Sequence, residues 1–277
     1  MKQTLKLSFE MTNVLSRIES NGLKINKTTL DEIEKEYMDE MTMLENKLNI
    51  LAKNAMGDTP INLASPDDKS VLLYSRKVKD KSLWSITFNL GHEMRGNTIK
   101  PKMKTRMKNK DFVQCVRRMT DIVYKTVGRQ CETCRGSGRV TPLRKDGSVG
   151  KAKRICKNCI GKGVVYTSTG EVAGFKLIPR TPKDTASAGF KTDKVTLEDR
   201  LSELEGDARE FCEAYVRYNA LRTYLSTFVE GMKNNVDEND FIHPEFMQCV
   251  TATGRLSSRN PNFQNMPRGS TFAIRKV

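Results

Sequence analysis

Two copies of one short cysteine motif set the strongest limit on how this chain can fold. The motif C-x-x-C-x-G-x-G occurs as CETCRGSG at Cys131–Gly138 and as CKNCIGKG at Cys156–Gly163. A tight turn can present two thiols separated by two residues to one ion, and the glycines that follow let the backbone fold back over the site. The doubled pattern predicts a closed structural zinc site. Its four ligands are Cys131, Cys134, Cys156 and Cys159.

A redox-active dithiol is the other use of such cysteines, although one C-x-x-C pair would be enough for that chemistry. The remaining cysteines, Cys115, Cys212 and Cys249, are scattered, and we expect small buried residues rather than ligands or nucleophiles. The repeated unit also resembles the cysteine-rich module of DnaJ-type chaperones, which has four such units where this chain has two. A chaperone-like zinc module is disfavoured, because nothing in the chain resembles a J domain.

The charge of the chain favours a polyanionic partner. A formal net charge of +15 over 277 residues places nucleic acid ahead of an anionic membrane surface. Arg95–Lys110 holds seven basic residues and no acid, which suits a solvated surface or, given the net charge, phosphate contacts. The two cysteine motifs are called the knuckles below. The segment that joins them, Arg135–Ile155, is similarly basic and suits DNA-backbone contact or an acidic protein partner. With no membrane-length apolar run and no signal-peptide core, we expect a cytoplasmic protein, in the host cytoplasm if phage-encoded.

Two segments have helical periodicity. Between Leu30 and Leu51 apolar residues recur three or four apart, which predicts a long helix capped by Asn26 or Thr28. A broader stripe over Leu201–Met232 predicts a partner helix, so the pair would form a two-helix arm or the core helices of an α-rich domain. The stripes comprise Leu30, Ile33, Tyr37, Met41, Leu44, Leu48 and Leu51, and Leu204, Phe211, Tyr215, Tyr218, Leu221, Leu225, Phe228 and Met232.

The segment between the helices has a different composition. Arg76–Lys191 is rich in Lys, Arg and Gly, and its periodicity is weak. Short strands are predicted at Leu83–Leu90 and Gly163–Thr167. We interpret this segment as an insertion.

The end of the chain carries a longer motif. TATGRLSSRNPNFQNMP, Thr251–Pro267, closely resembles the palm segment T-A-T-G-R-L-S-S-x-x-P-N-L-Q-N-I-P of family A DNA polymerases, with Phe263 and Met266 at the Leu and Ile positions. Upstream, IHPEFMQCV is similar to the family strand that carries a His and a Gln. LSTFVEGM resembles the end of the second thumb helix, with Leu225 where members often have Lys.

Further segments extend the resemblance to about residues 7–75 and 189–277, the two ends of the chain. It implies an α+β fold with long antiparallel thumb helices, a zinc-bearing inserted module and the first strands of a polymerase palm. The expected domains are residues 1–75 for the first thumb arm, 76–190 for the basic zinc-binding insertion, 191–237 for the second thumb arm and 238–277 for the amino-terminal palm segment.

The same resemblance implies DNA contacts in the terminal motif. Arg255 would touch the primer end, and the amides would follow the template and nearby base pairs. A planar cation and amides also suit the acceptors that every base pair presents in the minor groove. The predicted DNA-binding residues are Arg255, Ser257, Asn262, Gln264 and Asn265.

No catalytic residue is predicted in the chain. Polymerase chemistry uses two metal ions held by carboxylates, and Glu245 is the only acid after Asp240. We therefore expect a DNA-gripping subunit or fragment, inactive alone, from a phage-type split polymerase. A second chain would supply the remaining palm, the fingers and the Mg²⁺ site, and a processivity factor could dock on the insertion. The alternative is a stand-alone zinc-dependent DNA-binding or replication accessory protein.

Overall fold

The computed structural model describes most of the chain, which contains both helices and strands. The described residues are 2–102, 107–141, 152–248, 250–251, 253–266, 272 and 277. They divide into two compact units, one made of residues 1–46 and 215–277 and the other of residues 47–214. The mixed helix-and-strand content agrees with the predicted α+β class, while the thumb and palm domains stay predictions.

The described residues contain eight α-helices. They are α1 (Lys2–Asn21), α2 (Lys27–Met56), α3 (Pro66–Tyr74), α4 (Lys81–Thr87), α5 (Asn109–Met119), α6 (Lys194–Arg200), α7 (Gly206–Tyr224) and α8 (Glu230–Lys233). A π-helical turn at Leu225–Val229 joins α7 to α8, and short 3-10 turns lie at Pro182–Asp184, Leu201–Glu203 and Phe263–Asn265. None of the described helices is both long enough and apolar enough to cross a bilayer.

The strands form antiparallel pairs, which are β1–β12, β2–β5, β3–β4, β6–β9, β7–β8, β10–β11 and β13–β14. Their bounds are β1 (Leu23–Lys24), β2 (Arg76–Val78), β3 (His92–Arg95), β4 (Thr98–Pro101), β5 (Thr120–Ile122), β6 (Tyr124–Gln130), β7 (Arg139–Val140), β8 (Arg154–Ile155), β9 (Val164–Val172), β10 (Thr185–Ala186), β11 (Gly189–Phe190), β12 (Phe241–Ile242), β13 (Glu245–Met247) and β14 (Ser257–Arg259).

The first unit is built around the antiparallel pairing of α2 with α7 and α8. Lys233 forms ion pairs with Asp31 at 2.5 Å and Glu34 at 2.6 Å. Arg217 donates two hydrogen bonds to Glu40, at 2.7 and 2.8 Å. The residue numbers of the partners increase along α2, from Asp31 to Glu40, and decrease from Lys233 in α8 to Arg217 in α7. The helices therefore run antiparallel. The pairing predicted from the two apolar stripes is confirmed.

Apolar side chains of both helices fill the space between them. The buried cluster contains Ile25, Leu30, Ile33, Tyr37, Leu221, Tyr224, Leu225, Val229, Met232, Ile242 and Phe272. Asn26 caps α2, since its Oδ1 accepts a hydrogen bond from the Thr29 N–H at 3.1 Å. Leu225 lies in the π-helical turn and is 9% exposed, so the position where family members often have Lys faces the core in this chain.

The second unit has an aromatic core between α3, α4, α5 and β11. Trp84 packs edge-to-face against Phe88 and Phe190, with ring centroids 4.6 and 5.4 Å apart, and Phe88 packs against Phe112 at 5.7 Å. The buried indole N–H of Trp84 donates to the Ala186 carbonyl at 2.9 Å. This core therefore joins residues more than a hundred positions apart.

The strand predicted at Leu83–Leu90 is wrong, because most of that segment is helix α4. Asp80 precedes the helix, and its Oδ1 accepts hydrogen bonds from the N–H groups of Ser82 and Leu83 at 2.8 and 3.0 Å. Trp84 and Phe88, four residues apart, are both buried. A side-chain cap and helical spacing thus outweigh the β propensity of the aromatic residues. The strand predicted at Gly163–Thr167 is confirmed as β9.

Candidate metal centre and nucleic-acid interface

The two cysteine knuckles stand at one end of the β6–β9 ladder. The Cys131 N–H donates to the Gly163 carbonyl at 2.8 Å, and the Cys156 N–H donates to the Gly138 carbonyl at 2.9 Å. Each knuckle therefore begins where the other ends. Strands β7 and β8, with Arg139 opposite Ile155, complete this arrangement.

The four predicted ligands come together as one buried cluster that could hold a metal ion. Their sulfur atoms all lie within 4.8 Å of one another. The Cys131 and Cys156 sulfurs are 3.8 Å apart, and those of Cys134 and Cys159 are 3.6 Å apart. Bonds of about 2.3 Å from a central ion to four tetrahedral sulfurs place the sulfurs about 3.8 Å from each other. A disulfide would require about 2.0 Å, so the spacing suits a shared ion.

Backbone amides point at the sulfurs. The Gly138 N–H donates to the Cys134 sulfur at 3.3 Å, and the Gly163 N–H donates to the Cys159 sulfur at 3.2 Å. A hydrogen bond from the Cys134 backbone lowers the pKa of the Cys131 thiol to about 6, while burial raises the pKa of Cys134 to about 11. Amide donors favour the thiolate forms that bind metals, and burial opposes them until a cation is present.

Because glycine has no side chain, one glycine in each knuckle allows the backbone of the other knuckle to approach closely. Gly138 and Gly163 have φ values of +69° and +74°. A methyl group on Gly138 would collide with the Gly161 carbonyl oxygen, and one on Gly163 would collide with the Gly136 carbonyl oxygen. The motif therefore needs glycine both for the left-handed backbone and for the close approach of the two knuckles.

The predicted basic surfaces are only partly described. Arg144, Lys145 and Lys151 of the segment between the knuckles, and residues 103–106 of the first basic run, lie outside the described residues. In the described part, Arg135 and Lys157 are exposed. Of the scattered cysteines, Cys115 and Cys212 are buried as expected, burial raises the pKa of Cys212 to about 12, and Cys249 lies outside the described residues.

The terminal motif is held by a short strand pair and a capped turn. Strand β14 pairs with β13, so that Ser257 lies opposite Met247. The side-chain oxygen of Asn262 accepts from the Gln264 N–H at 3.2 Å and contacts the Ser258 hydroxyl at 3.3 Å. The two positions where the motif departs from the family pattern, Phe263 and Met266, pack against the core of the first unit. The motif is thus attached to the helix pair through these two side chains.

The predicted DNA-contact residues differ in accessibility. Arg255, Gln264 and Asn265 are exposed, whereas Ser257 and Asn262 are half-buried. Among the residues that the structure describes, no hydrogen bond or ion pair engages the guanidinium of Arg255. The Arg255 carbonyl accepts a hydrogen bond from the Thr251 hydroxyl at 2.8 Å, which fixes the backbone beneath the free cation.

The sequence did not predict that the Glu245 carboxylate would hold this motif in place. Glu245 accepts a hydrogen bond from the Arg259 Nε at 2.6 Å on one oxygen and from the Asn260 amide at 2.9 Å on the other. These donors, the Asn260 amide first, lower the pKa of Glu245. Arg259 and Asn260 occupy the two variable positions of the family pattern. These contacts follow from the pairing of β13 with β14, which local sequence patterns do not reveal.

A second missed contact joins α1 to the strand before the motif. The Nδ1 atom of His243 lies 2.7 Å from the Glu19 carbonyl oxygen, and the Phe246 N–H donates to the Glu19 carboxylate at 2.6 Å. Gln248 donates to the Thr12 hydroxyl at 3.1 Å. The His and Gln noted in the sequence thus bind the amino-terminal helix.

The comparisons with known proteins reported below all involve DNA polymerases. A family model described as DNA polymerase family A matches residues 169–277. The DNA polymerase I of Synechocystis sp. is 37% identical over 97 residues, which is 35% of this chain and 9% of that protein. The enzyme of Treponema pallidum is 33% identical over 97 residues, with the same shares. The aligned part therefore spans less than a tenth of these relatives, and the resemblance to family A polymerases is confirmed for residues 169–277.

The solved structures that match include a polymerase domain. The POL domain of Pol1 from M. smegmatis, in complex with DNA primer-template and dNTP, has 18% sequence identity to this chain and a TM-score of 0.41, covering 92% of this chain and 25% of that one. The resemblance seen over residues 7–75 lies outside the family match and stays a prediction.

Proposed function

We propose that this chain is a DNA-gripping segment of a family A DNA-directed DNA polymerase, which holds the primer-template duplex during replication. The observation that carries the proposal is the exposed guanidinium of Arg255, which has no partner among the described residues although its backbone is fixed. A cation held in place without a protein partner is suited to an anionic or acceptor-rich ligand. It lies within the residues that match the polymerase family.

The remaining polar groups of the motif fit the same ligand. Gln264 and Asn265 are exposed amides on the 3-10 turn, and each can donate and accept hydrogen bonds. Minor-groove acceptors are similar in every base pair, so these contacts would test pair geometry rather than sequence. Ser257 and Asn262 would contribute mainly by shaping the turn, since both are half-buried.

We assign the paired helices to a thumb. In this assignment residues 1–75 and 191–237 are the thumb arms, residues 76–190 are the zinc-bearing insertion, and residues 238–277 are the first part of a palm. The antiparallel packing of α2 against α7 and α8 supports this assignment, because an extended helix pair can present cations along a duplex. The motif packs through Phe263 onto the same helix pair.

The catalytic carboxylates are proposed to come from a second polymerase chain that carries the remaining palm and fingers. Both oxygens of Glu245 are engaged by Arg259 and Asn260. Asp237 accepts from two backbone N–H groups, and Asp240 forms an ion pair with Lys27. These three acids near the motif are thus committed to structure, and the Mg²⁺ ions of nucleotide transfer would bind with the second chain.

Zinc is the proposed occupant of the cysteine cluster. Sulfur separations of 3.6 and 3.8 Å match tetrahedral thiolate coordination by zinc, and four protein ligands leave no open position for catalysis. Replacing Cys131 and Cys156 with serine should abolish stoichiometric zinc in metal analysis and unfold the insertion. Helical circular dichroism should persist, and loss of the entire helical signal would contradict an independently held module.

The functional test compares Arg255→Ala with Arg17→Ala, which removes an equally exposed arginine from α1. Primer extension is measured with magnesium and nucleotides, using the chain alone and with the product of the neighbouring gene. Extension should require both chains. Arg255→Ala should lower extension by about tenfold or more while lowering duplex affinity by only about threefold, because a primer-end contact acts mainly in the reacting complex.

Equal losses in both measurements would contradict the placement of Arg255 at the primer end. Arg17→Ala should change neither by more than about twofold, as expected for an isolated exposed charge. If the purified chain binds duplex but no extension occurs with any complementing chain, the result would favour the stand-alone DNA-binding or replication accessory protein.

A further inference from the structure

The two cysteine knuckles place different residues at one strained backbone position. The residue after the second cysteine of each knuckle is left-handed, with φ of 49° at Arg135 and 51° at Ile160. This region is uncommon for any residue with a side chain and unfavourable for a β-branched one. A straight-chain or amide residue would adopt this conformation with less strain than Ile160.

Ile160 gains no burial that would offset the strain. Its side chain is 79% exposed, and Ile155 nearby is 65% exposed. The Ile155 Cγ2 atom covers Gly161, where it would lie 3.3 Å from an added methyl group. Ile155, Ile160 and Gly161 form a small apolar surface, called the isoleucine tip below. Strained backbone positions of this kind cluster at sites that hold a ligand.

The knuckles that carry the isoleucine tip are predominantly basic. The described knuckle residues, 131–141 and 152–163, include six cations and one acid, Glu132. The cations are Arg135, Arg139, Lys153, Arg154, Lys157 and Lys162, and all are exposed. No ion pair engages them within the described part of the chain. Apolar contact and phosphate attraction can therefore act on one partner.

We propose that the isoleucine tip enters the minor groove of duplex DNA while the surrounding lysines and arginines contact the phosphates on both sides. The inference rests on the proposed function, since it requires that the chain binds duplex DNA. Aliphatic side chains such as Ile are used as minor-groove wedges. The described knuckle residues contain no aromatic side chain, so they lack the stacking surface that single strands prefer.

An acidic protein is the competing partner. Protein interfaces of standard size are enriched at their centre in aromatic residues and methionine, which the described knuckle residues lack. Two isoleucines provide far less than the about 800 Å² that each partner usually buries. The size and charge of the tip therefore favour a groove bounded by phosphates.

The test uses the full zinc-loaded chain and a fluorescent hairpin duplex with an A·T-rich stem, with affinity measured over a series of salt concentrations. Ile160→Asn removes the apolar contact and suits the left-handed backbone, so its thermal midpoint should not fall. We expect duplex affinity about five- to tenfold weaker, as for loss of one partly buried aliphatic side chain. The salt slope should stay unchanged because no cation is removed.

Two further variants separate the apolar contact from changes in folding. Ile160→Leu keeps an apolar side chain and should bind within about twofold of the parent chain. Ile155→Thr keeps a β-branched residue in β8 but removes apolar surface, so affinity should fall as in Ile160→Asn. A minor-groove ligand bound to the A·T stem should lower the duplex affinity of the parent chain much more than it lowers that of Ile160→Asn.

Unchanged affinity in both polar variants would overturn the inference, and it is the outcome expected if the tip docks an acidic protein. An altered salt slope in Ile160→Asn would also overturn it, because the effect would then be electrostatic. A parent chain that fails to bind duplex would overturn the proposed function together with this inference. Duplex binding that is intact in Ile160→Asn but sensitive to Arg255→Ala would overturn the inference alone.

Discussion

The interlocked glycines of the knuckles make a prediction about metal affinity. Gly138→Ala would introduce a methyl group at a left-handed position and against the Gly161 carbonyl oxygen. Gly170→Ala is the matched control, since Gly170 has φ of +82° but no atom within 4 Å of an added methyl group. Both substitutions carry the cost of a left-handed alanine, and only Gly138→Ala adds the collision.

The magnitudes follow from these two geometries. A left-handed alanine costs about 1–2 kcal/mol, which is all that we expect for Gly170→Ala. Overpacking against backbone adds about 1–3 kcal/mol for Gly138→Ala. Because the proposed zinc site requires both knuckles to be folded, the added cost should appear as zinc affinity about 5- to 150-fold weaker than in the control.

The assay is competition for zinc between the full chain and a chromogenic chelator, with circular dichroism to confirm that the helices persist. Gly163→Ala should behave like Gly138→Ala, because its methyl group would meet the Gly136 carbonyl oxygen in the same way. Equal zinc affinities of Gly138→Ala and Gly170→Ala would refute the reasoning. The close approach of the knuckles would then not be required for metal binding.

Three further predictions concern stability. Leu221→Ala, at a fully buried position of the helix-pair core, should lower the free energy of unfolding by about 2–5 kcal/mol in denaturant titration, and a loss below about 1 kcal/mol would contradict its burial. Asp80→Ala removes the cap of α4 and should cost about 1 kcal/mol in the same assay, whereas Asp80→Asn should largely retain the cap. The pKa of Glu245 is lowered in the folded chain, so its stabilisation is present above the ordinary value of 4.5 and is lost as the pH falls below it. Glu245→Gln should weaken that acid dependence in thermal midpoints, and an unchanged pH profile would count against the bonds to Asn260 and Arg259.

Local patterns were sufficient for the parts of the fold that depend on short spacing. The 3,4 repeat from Leu30 located α2, because one apolar stripe must face a partner helix. The doubled C-x-x-C motif located the metal-binding cluster, because thiol spacing within each knuckle is set by a tight turn. In both cases the physical constraint acts over fewer than about ten residues, which is the range that periodicity reports.

Contacts between distant residues were not predictable in this way. Glu245 and Arg259 pair only because β13 and β14 form an antiparallel ladder. The Phe190 N–H donates to the Ser70 hydroxyl at 2.9 Å across 120 positions. Tertiary packing also contributed at α4, where the burial of Trp84, together with the Asp80 cap, prevailed over its β propensity. Such contacts depend on topology, and local spacing does not determine topology.

The two proposed DNA-contact surfaces depend on different sources of stability. Among the described residues, the knuckles bury four cysteines, and only the partly buried Val140 and Val165 pack against them. This is too little apolar surface to order the isoleucine tip without an ion. The terminal motif instead packs through Phe263 and Met266 onto the helix-pair core, which needs no metal. Zinc removal should therefore disorder the first surface and leave Arg255 in place. The proposed contact at the primer end should then be independent of metal and the proposed contact of the knuckles with the duplex dependent on it, so the two proposals can be tested separately.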